Sequence, residues 1–277
     1  MYSNIFDSHV HSDCSFDGHH SVTFICENAV EKGVSGIAVT DHCEIQDYER
    51  DQGAMRIRQS AFQARKARSV FGQRLIVSAG IELGQPLEHP DWAEEALALF
   101  AFDYVLCSVH NLLGQQDFYW IPWDQYTDQQ IHEILTEYFS YSIKTIKWGQ
   151  FDAFAHILYP LRYICGKYKR QVDLSRYFDA VDELLKTLSI YGKALEINTA
   201  CYRKADVPPR TLLPILKRFK QLGGEMVTLG SDAHTADVVG ANIADGKMCI
   251  RDRAKTAERF PTPPTLPSRA FWKRTAT

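Results

Sequence analysis

Seven short apolar, β-branched runs punctuate the chain: "NIFDSHV", "GIAVTDH", "LIVSAGIEL", "DYVLCSVH", "FDAFAHI", "ALEINTA" and "MVTLGSDAH". Between them the apolar positions change period. In "SVTFICENAVEKG", Val22, Ile25, Cys26, Ala29 and Val30 recur at helical spacing, with Ser21 placed as N-cap and Gly33 as stop. "DLSRYFDAVDELLKTLSIYG" repeats the design with Leu174, Tyr177, Val181, Leu184 and Leu188, ending at Gly192. Further helical patterns run near 55–71, 92–101, 128–147 and 210–222. Strand and helix alternate, which means βα units and a parallel sheet. No linker divides residues 1–246, so one domain is expected there.

A doubly wound sheet normally has a glycine-rich turn after its first strand. Here the first run ends in "DSHVHSDCSFDGHH" instead. His9 and His11 alternate by two, so an extended strand projects both rings from one face, and Asp7 has the same parity. Six of the seven runs end in His, Asp or Glu: His9/His11, His42, Glu82, His110, His156 and Asp232/His234. The seventh ends in Asn198. Any one of these histidines alone would be read as a core or surface residue. All of them at the C-terminal ends of parallel strands describe the active-site face of a barrel, where strand ends converge on one mouth.

A length of 277 residues suits a single α/β barrel, which takes about 250. The net charge of −3 points away from nucleic acid as a partner. The opening "MYSNIFDSHV" lacks the basic and apolar regions of a secretory signal, and no apolar run reaches membrane-spanning length. Seven scattered cysteines without a C-x-x-C pair fit reduced thiols in a cytoplasmic protein. The charge is uneven. Residues 247–277 carry eight Lys/Arg against two Asp/Glu, with four of the eleven prolines, so they sum to +6 and residues 1–246 to −9. This tail is expected to be a basic, Pro-rich segment, disordered or foreign to the fold, that starts where the last helix stops near Gly246.

His9, His11, Asp17, His42, Glu82, His110, His156, Asp232 and His234 are too many ligands for one tetrahedral zinc. They suit two or three divalent ions, Zn, Mn or Fe, with Glu82 as bridge because its two oxygens can bind separate metals. Such centres activate water and hydrolyse phosphoesters and amides, and Glu82, His42 and Asp232 stand nearest that chemistry. Asp7 and Asp41, each beside a ligand histidine, are candidates to orient a ring. Arg162 and Arg203, expected in loops at the mouth, offer guanidinium forks to a phosphate. Trp120 and Trp123 are candidates for the pocket wall, with core packing as the alternative.

With these pieces assembled, the chain resembles the polymerase-and-histidinol-phosphatase (PHP) superfamily, in its histidinol-phosphatase branch. The resemblance rests on "DSHVHSDCSFDG", "VTDHCE", "GIELG", "CSVHN", "DAFAHILYPLRY", "LEINTA" and "LGSDAH", in order over residues 5 to 240. It implies a distorted (β/α)7 TIM-like barrel with a trinuclear metal site held by the nine residues above, and a phosphate held by Arg162 and Arg203. It further implies hydrolysis of L-histidinol phosphate, a small-molecule ester, in histidine biosynthesis. Oligomeric state is open. A related phosphoesterase or nuclease acting on another ester is the nearest rival. A metal-dependent amidohydrolase would want a lysine at the fourth strand's end, where this chain has His110, and a lone Asp at the last, where it has Asp232 and His234. A non-catalytic metal-binding barrel is the rival from another class, set against the complete ligand set.

Overall fold

The computed structural model describes residues 5–201 and 209–254. Its parallel strands follow the expected runs: β1 (Phe6–Val10), β2 (Gly36–Val39), β3 (His42–Glu44), β4 (Ile76–Gly84), β5 (Tyr104–Ser108), β6 (Ala153–Phe154), β7 (Ala194–Asn198) and β8 (Val227–Gly230). Neighbours in space run β1-β2-β4-β5-β6-β7-β8, with β3 paired to β4. The run "GIAVTDH" therefore gives two strands, β2 against the first half of β4 and β3 against its second half. Backbone bonds from Asp232 N to His9 O (2.9 Å) and from His11 N to Ala233 O (2.8 Å) join β1 to the segment after β8. The result is a nearly closed seven-stranded barrel.

Helices α1 (Val22–Glu31), α2 (Gly53–Phe71), α3 (Pro90–Ala98) and α4 (Asp128–Trp148) cover the first half. A short α5 (Tyr159–Leu161) runs into a π-helical turn at Arg162–Lys167, and α6 (Phe178–Ile190), α7 (Pro209–Gln221) and α8 (Ile243–Ala254) complete the ring. Local chemistry sets these boundaries. Ser21 accepts from Phe24 N to start α1, and Thr127 and Gln130 form a reciprocal capping box on α4. Gly149 then ends α4 in the left-handed region at φ 74°, where a Cβ would be strained. The helix expected from Asp173 onward starts as a 3₁₀ turn at Leu174–Tyr177, because the Asp173 carboxylate caps Ser175 N one turn ahead of α6.

Side-chain alternation divides the core. Ile37 and Val39 pack outward with Val22, Ile25 and Phe71 from α1 and α2, while Ala38 faces inward with Tyr104, Leu106, Ala153, Ala155 and Ala194. An inner layer with four alanines suits a barrel of fewer strands, where diameter shrinks with strand number. The larger outer cluster runs from Ile57 on α2 to Leu188 on α6 and includes Trp123, fully buried with Nε1 donating to Phe118 O. Trp123 is thus a core residue, whereas Trp120 is exposed. The expected stop near Gly246 is not where the helix ends: α8 continues to Ala254, with Gly246 close against Leu229 and Thr199. The rest of the tail, 255–277, lies outside the described residues.

Candidate metal centre

β1 carries an irregularity between Asp7 and Val10 in its register with β2. A bulge adds a residue on one side and reverses the alternation beyond it. Asp7 therefore loses the parity it shares with His9 in the sequence. Its carboxylate turns from the mouth and accepts from Ser231 N and Gly240 N (both 2.8 Å) and His9 N (3.3 Å), clasping β1 to the end of β8. Asp41 likewise departs from the expected ring-orienting role. It accepts from Ser12 N, Ser12 Oγ, Ser15 Oγ and Ser60 Oγ, fixing the loop after β1 against α2.

At the barrel mouth the nine sequence-derived ligand candidates converge. Glu82, fully buried at the end of β4, divides its carboxylate between two groups of imidazoles. Oε2 lies 3.2 Å from His9 Nε2, 3.4 Å from His11 Nε2 and 3.1 Å from His42 Nδ1. Oε1 lies 2.9 Å from His156 Nε2 and 3.2 Å from His110 Nε2. Asp232 Oδ1 reaches His9, His11 and His234 at 3.5–3.7 Å. On the solvent side Asp17 joins His234 Nε2 (2.9 Å) and His42 Nε2 (3.7 Å). His9, His11 and Glu82 form a dry floor, while Asp17 and His234 form a rim with side chains 39% and 29% exposed. His156 and Asp232 both take positive φ, 24° and 53°. Such left-handed non-glycine residues cost about 1–3 kcal/mol each and persist where the surroundings over-determine them.

Arg162 sits at the start of the π-helical turn, not in a loop. Nη1 donates to Asp232 Oδ2 (3.2 Å) and Nη2 to Asn198 Oδ1 (3.1 Å), which places the guanidinium at the edge of the cluster. Arg203 lies outside the described residues.

Two carboxylates that the motifs did not single out hold the rings from behind. Glu196 Oε1 takes His9 Nδ1 at 2.6 Å, while Oε2 accepts from His156 N (2.9 Å) and Asn198 Nδ2 (3.3 Å). Glu44 Oε1 lies 2.9 Å from His110 Nδ1 and 3.0 Å from His42 Nδ1. Both stand two residues from a named candidate in the same strand, Asn198 and His42, so strand parity was the available signal. The close approach of Glu196 and His9 also requires Gly230, where a Cβ would lie 2.3 Å from His9 Cβ and 2.5 Å from Glu196 Oε1.

Donor chemistry provides the test for a metal. Glu196 commits Nδ1–H of the neutral His9 ring, and Ser15 Oγ (3.2 Å) that of His11. Their lone-pair nitrogens then meet 2.9 Å apart, beside Glu82 Oε2 and Asp232 Oδ1. Electron pairs converge there with no hydrogen between them, an arrangement that only protons or cations relieve. Four triads have ligand atoms within 4.8 Å of one another: His11/His42/His234, His9/Glu82/His156, His9/His11/Asp232 and His42/Glu82/His110. Among the described residues, the buried atoms Asp17 Oδ1 and His42 Nδ1 also lack a well-aligned hydrogen bond, although Glu44 and Glu82 lie 3.0 and 3.1 Å from His42 Nδ1. The residues fit divalent ions held by imidazole and carboxylate without thiolate.

In the metal-free state protons take the cation's place. Burial alone would raise the Glu82 carboxyl, but His9, His42 and His110 hold it well below the usual carboxylate range. Burial would lower His42, yet Glu82, Glu44 and Asp17 carry it up to about 9. Glu196 and Glu82 likewise overcome burial and raise His9. His11, buried and facing His234 and His42, is pushed down to about 3.

Known proteins resemble this chain over most of its length. The probable histidinol-phosphatase of Clostridium acetobutylicum is 30% identical over 243 residues, 86% of this chain and 90% of that protein. The histidinol-phosphatase of Lactococcus lactis is 26% identical over 249 residues, 88% and 90% of the two chains. Among solved structures, the Lactococcus lactis histidinol phosphate phosphatase in complex with Zn, L-histidinol and phosphate superposes with TM-score 0.73 at 23% identity, covering 90% of this chain and 93% of that one. The putative histidinol phosphatase of Listeria monocytogenes gives TM-score 0.73 at 16% identity, covering 87% and 99%. The family model of the PHP domain matches residues 7–200, and with that match and the Clostridium relative the chain belongs to the PHP domain family.

Proposed function

We propose that this protein is a metal-dependent phosphomonoesterase that hydrolyses L-histidinol phosphate to L-histidinol and phosphate, the phosphatase step of histidine biosynthesis. The family match and the histidinol-phosphatase relatives support the reaction. The observation that carries the mechanism is the division of Glu82 between two imidazole groups, beside a guanidinium anchored on Asp232. We assign His9, His11, Asp17, His42, Glu82, His110, His156, Asp232 and His234 as ligands of two or three divalent ions, with Zn, Mn or Fe suited to this donor set. When bound, such ions activate water near neutral pH and stabilise the attacking and leaving oxygens.

The chain's own residues do the rest. Glu82 and Asp232 would hold negative charge, and His42 an imidazole nitrogen, where cations gather around the reacting oxygens. Arg162 keeps its guanidinium at the edge of that cluster to bind phosphoryl oxygens, and we assign Arg203 to the same phosphate from its sequence motif. Glu196 and Glu44 fix ring tautomers, as carboxylates behind ligand histidines do. The catalytic unit is the barrel of residues 1–246, covered by α8. No helix among the described residues is long and apolar enough to cross a membrane, and Cys14, Cys26, Cys43, Cys107 and Cys165 form no disulfide; we assign the protein to the cytoplasm. The test is kcat/KM across a panel of phosphomonoesters with metal added. L-histidinol phosphate should lead the panel, and a tenfold preference for a nucleotide or sugar phosphate would redirect the reading to another ester.

A further inference from the structure

We infer that Asn111 is a positioning residue for the His42/Glu82/His110 group, because its amide ties together the ends of β3, β4 and β5 that carry those side chains. This role rests on the metal-dependent reading of the site and names what keeps that part of it assembled. Sheet bonding stops short of the mouth. The paired register ends at Glu44 opposite Gly84 and at Gly84 opposite Ser108. His110 lies two residues past Ser108, so the ladder has ended before it. Asn111 follows at once and is fully buried. Its Oδ1 accepts from Nε2 of Gln85, the residue after β4. Its Nδ2 faces Gln46 Oε1 at 2.8 Å, Glu88 Oε1 at 3.0 Å and Leu112 O at 3.0 Å. Gln46 belongs to the 3₁₀ turn Ile45–Asp47 that follows β3. A second tie runs beside this one, from His110 Nδ1 to Glu44 Oε1 at 2.9 Å.

The position demands an amide. It needs an acceptor towards Gln85 and a donor towards Gln46 and Glu88, and the planar Asn side chain offers both. Aspartate would supply acceptors only, and leucine neither. Two Nδ2 hydrogens already face three acceptors, so what surrounds the amide fixes which end is oxygen. The partners depend on it in turn. Gln85 stands in the left-handed region at φ 47°, a conformation that persists where the surroundings impose it. Here they do so through Gln85 N to Ser108 O (3.0 Å), Glu88 N to Gln85 O (3.1 Å) and the bond to Asn111. Glu88 is partly buried with Asp47 and Glu44 as its charged neighbours, and burial carries it up to about 7 while Asn111 draws it down.

The ligand atoms of His42, Glu82 and His110 lie within 4.8 Å of one another. A slip of the β3 or β5 end against β4 would open that group. The His9/His11/Asp232 group is built from β1 and the segments after β1 and β8, which Asn111 does not touch. Loss of Asn111 should therefore fall on one ion and spare another.

The experiment measures divalent-ion affinity. The parent, Asn111→Leu, Asn111→Asp, Glu88→Gln and the double variant Asn111→Asp/Glu88→Gln are titrated with Mn or Zn against a chelator, alongside metal content after dialysis and the Tm of the stripped protein. His110→Ala marks the binding step that belongs to the His42/Glu82/His110 group. Both single substitutions of Asn111 should weaken that step about 10- to 100-fold, the range for a group that orients metal ligands, and leave the other steps within about threefold. In the double variant the new amide at 88 can donate to the new carboxylate at 111, so part of the loss should return. Should Asn111→Leu not fold, the Asn111→Asp pair decides. Equal weakening of every step would overturn the role, as would a lower Tm with affinities that match the parent's. A double variant no better than Asn111→Asp would overturn it too. A parent that takes up no divalent ion would sink the metal reading as well, whereas Asn111 variants that bind like the parent sink this role alone.

Discussion

Replacing Glu196 by Gln isolates the support behind the metal centre from the centre itself. The native carboxylate accepts three hydrogen bonds, from His9 Nδ1 (2.6 Å), His156 N (2.9 Å) and Asn198 Nδ2 (3.3 Å). Glutamine has one acceptor oxygen and one NH₂ that only donates. If the oxygen faces His9, the NH₂ meets the His156 N–H and the Asn198 amide. If it faces His156, the His9 Nδ1–H loses its acceptor and the ring its tautomer. Either way a buried donor goes unsatisfied, at about 1–3 kcal/mol. The crowding of Gly230 against Glu196 and His9 leaves no room for the side chain to swing out. Loss of such an outer partner typically weakens metal binding about 10- to 100-fold. The assay is chelator competition for Zn or Mn on the purified variant, with metal content after dialysis as a second readout. The variant should remain folded, since position 196 is retained as an isostere, and lose affinity in that range. Affinity within about twofold of the parent would refute the claim that Glu196 sets the His9 ring.

Glu82→Ala removes the one carboxylate that faces both imidazole groups and should lower turnover by at least ~10²-fold, measured as phosphate release at saturating metal. Arg162→Ala should weaken inorganic-phosphate inhibition and raise KM by the equivalent of about 1.5–3 kcal/mol, with Arg162→Lys recovering only part because it lacks the fork. His42, held up to about 9 from an ordinary 6.5 by its carboxylates against the effect of burial, binds its proton more tightly in the folded metal-free protein. It therefore contributes stability that is fully present below pH ~6.5 and lost as pH rises through about 9. Metal loading must displace that proton, so metal affinity should rise with pH across the same window, with proton release seen by calorimetry in buffers of different ionisation enthalpy. A chain ending after Ala254 should keep the parent Tm, metal content and turnover, since the ligand candidates precede it and α8 is retained.

The strand-end residues were legible because parallel strands in a barrel deliver their C-terminal ends to one place, so six of seven runs ending in ligand-type residues imply a mouth without any knowledge of pairing. Caps at Ser21 and stops at Gly33 were legible for the same local reason. What escaped depends on pairing. The split of "GIAVTDH" into β2 and β3 arises where the strand changes its position along β4, and the bulge after Asp7 arises against β2. That bulge alone turned Asp7 from a ring-orienting candidate into a backbone clasp. Glu196 and Glu44 hid inside strands as ordinary acids, their roles fixed by which histidine crosses from a neighbouring strand.

The central claim, that imidazoles and carboxylates gathered on Glu82 hold ions required for phosphomonoester hydrolysis, is tested most directly by one measurement. Phosphate release from L-histidinol phosphate is followed for protein stripped by a chelator and then supplied with Zn, Mn or Fe(II). The account predicts negligible turnover when stripped and recovery with at least one of these ions, in proportion to bound metal. Undiminished turnover by the stripped protein, or metal fully rebound without any hydrolysis of L-histidinol phosphate, would contradict it.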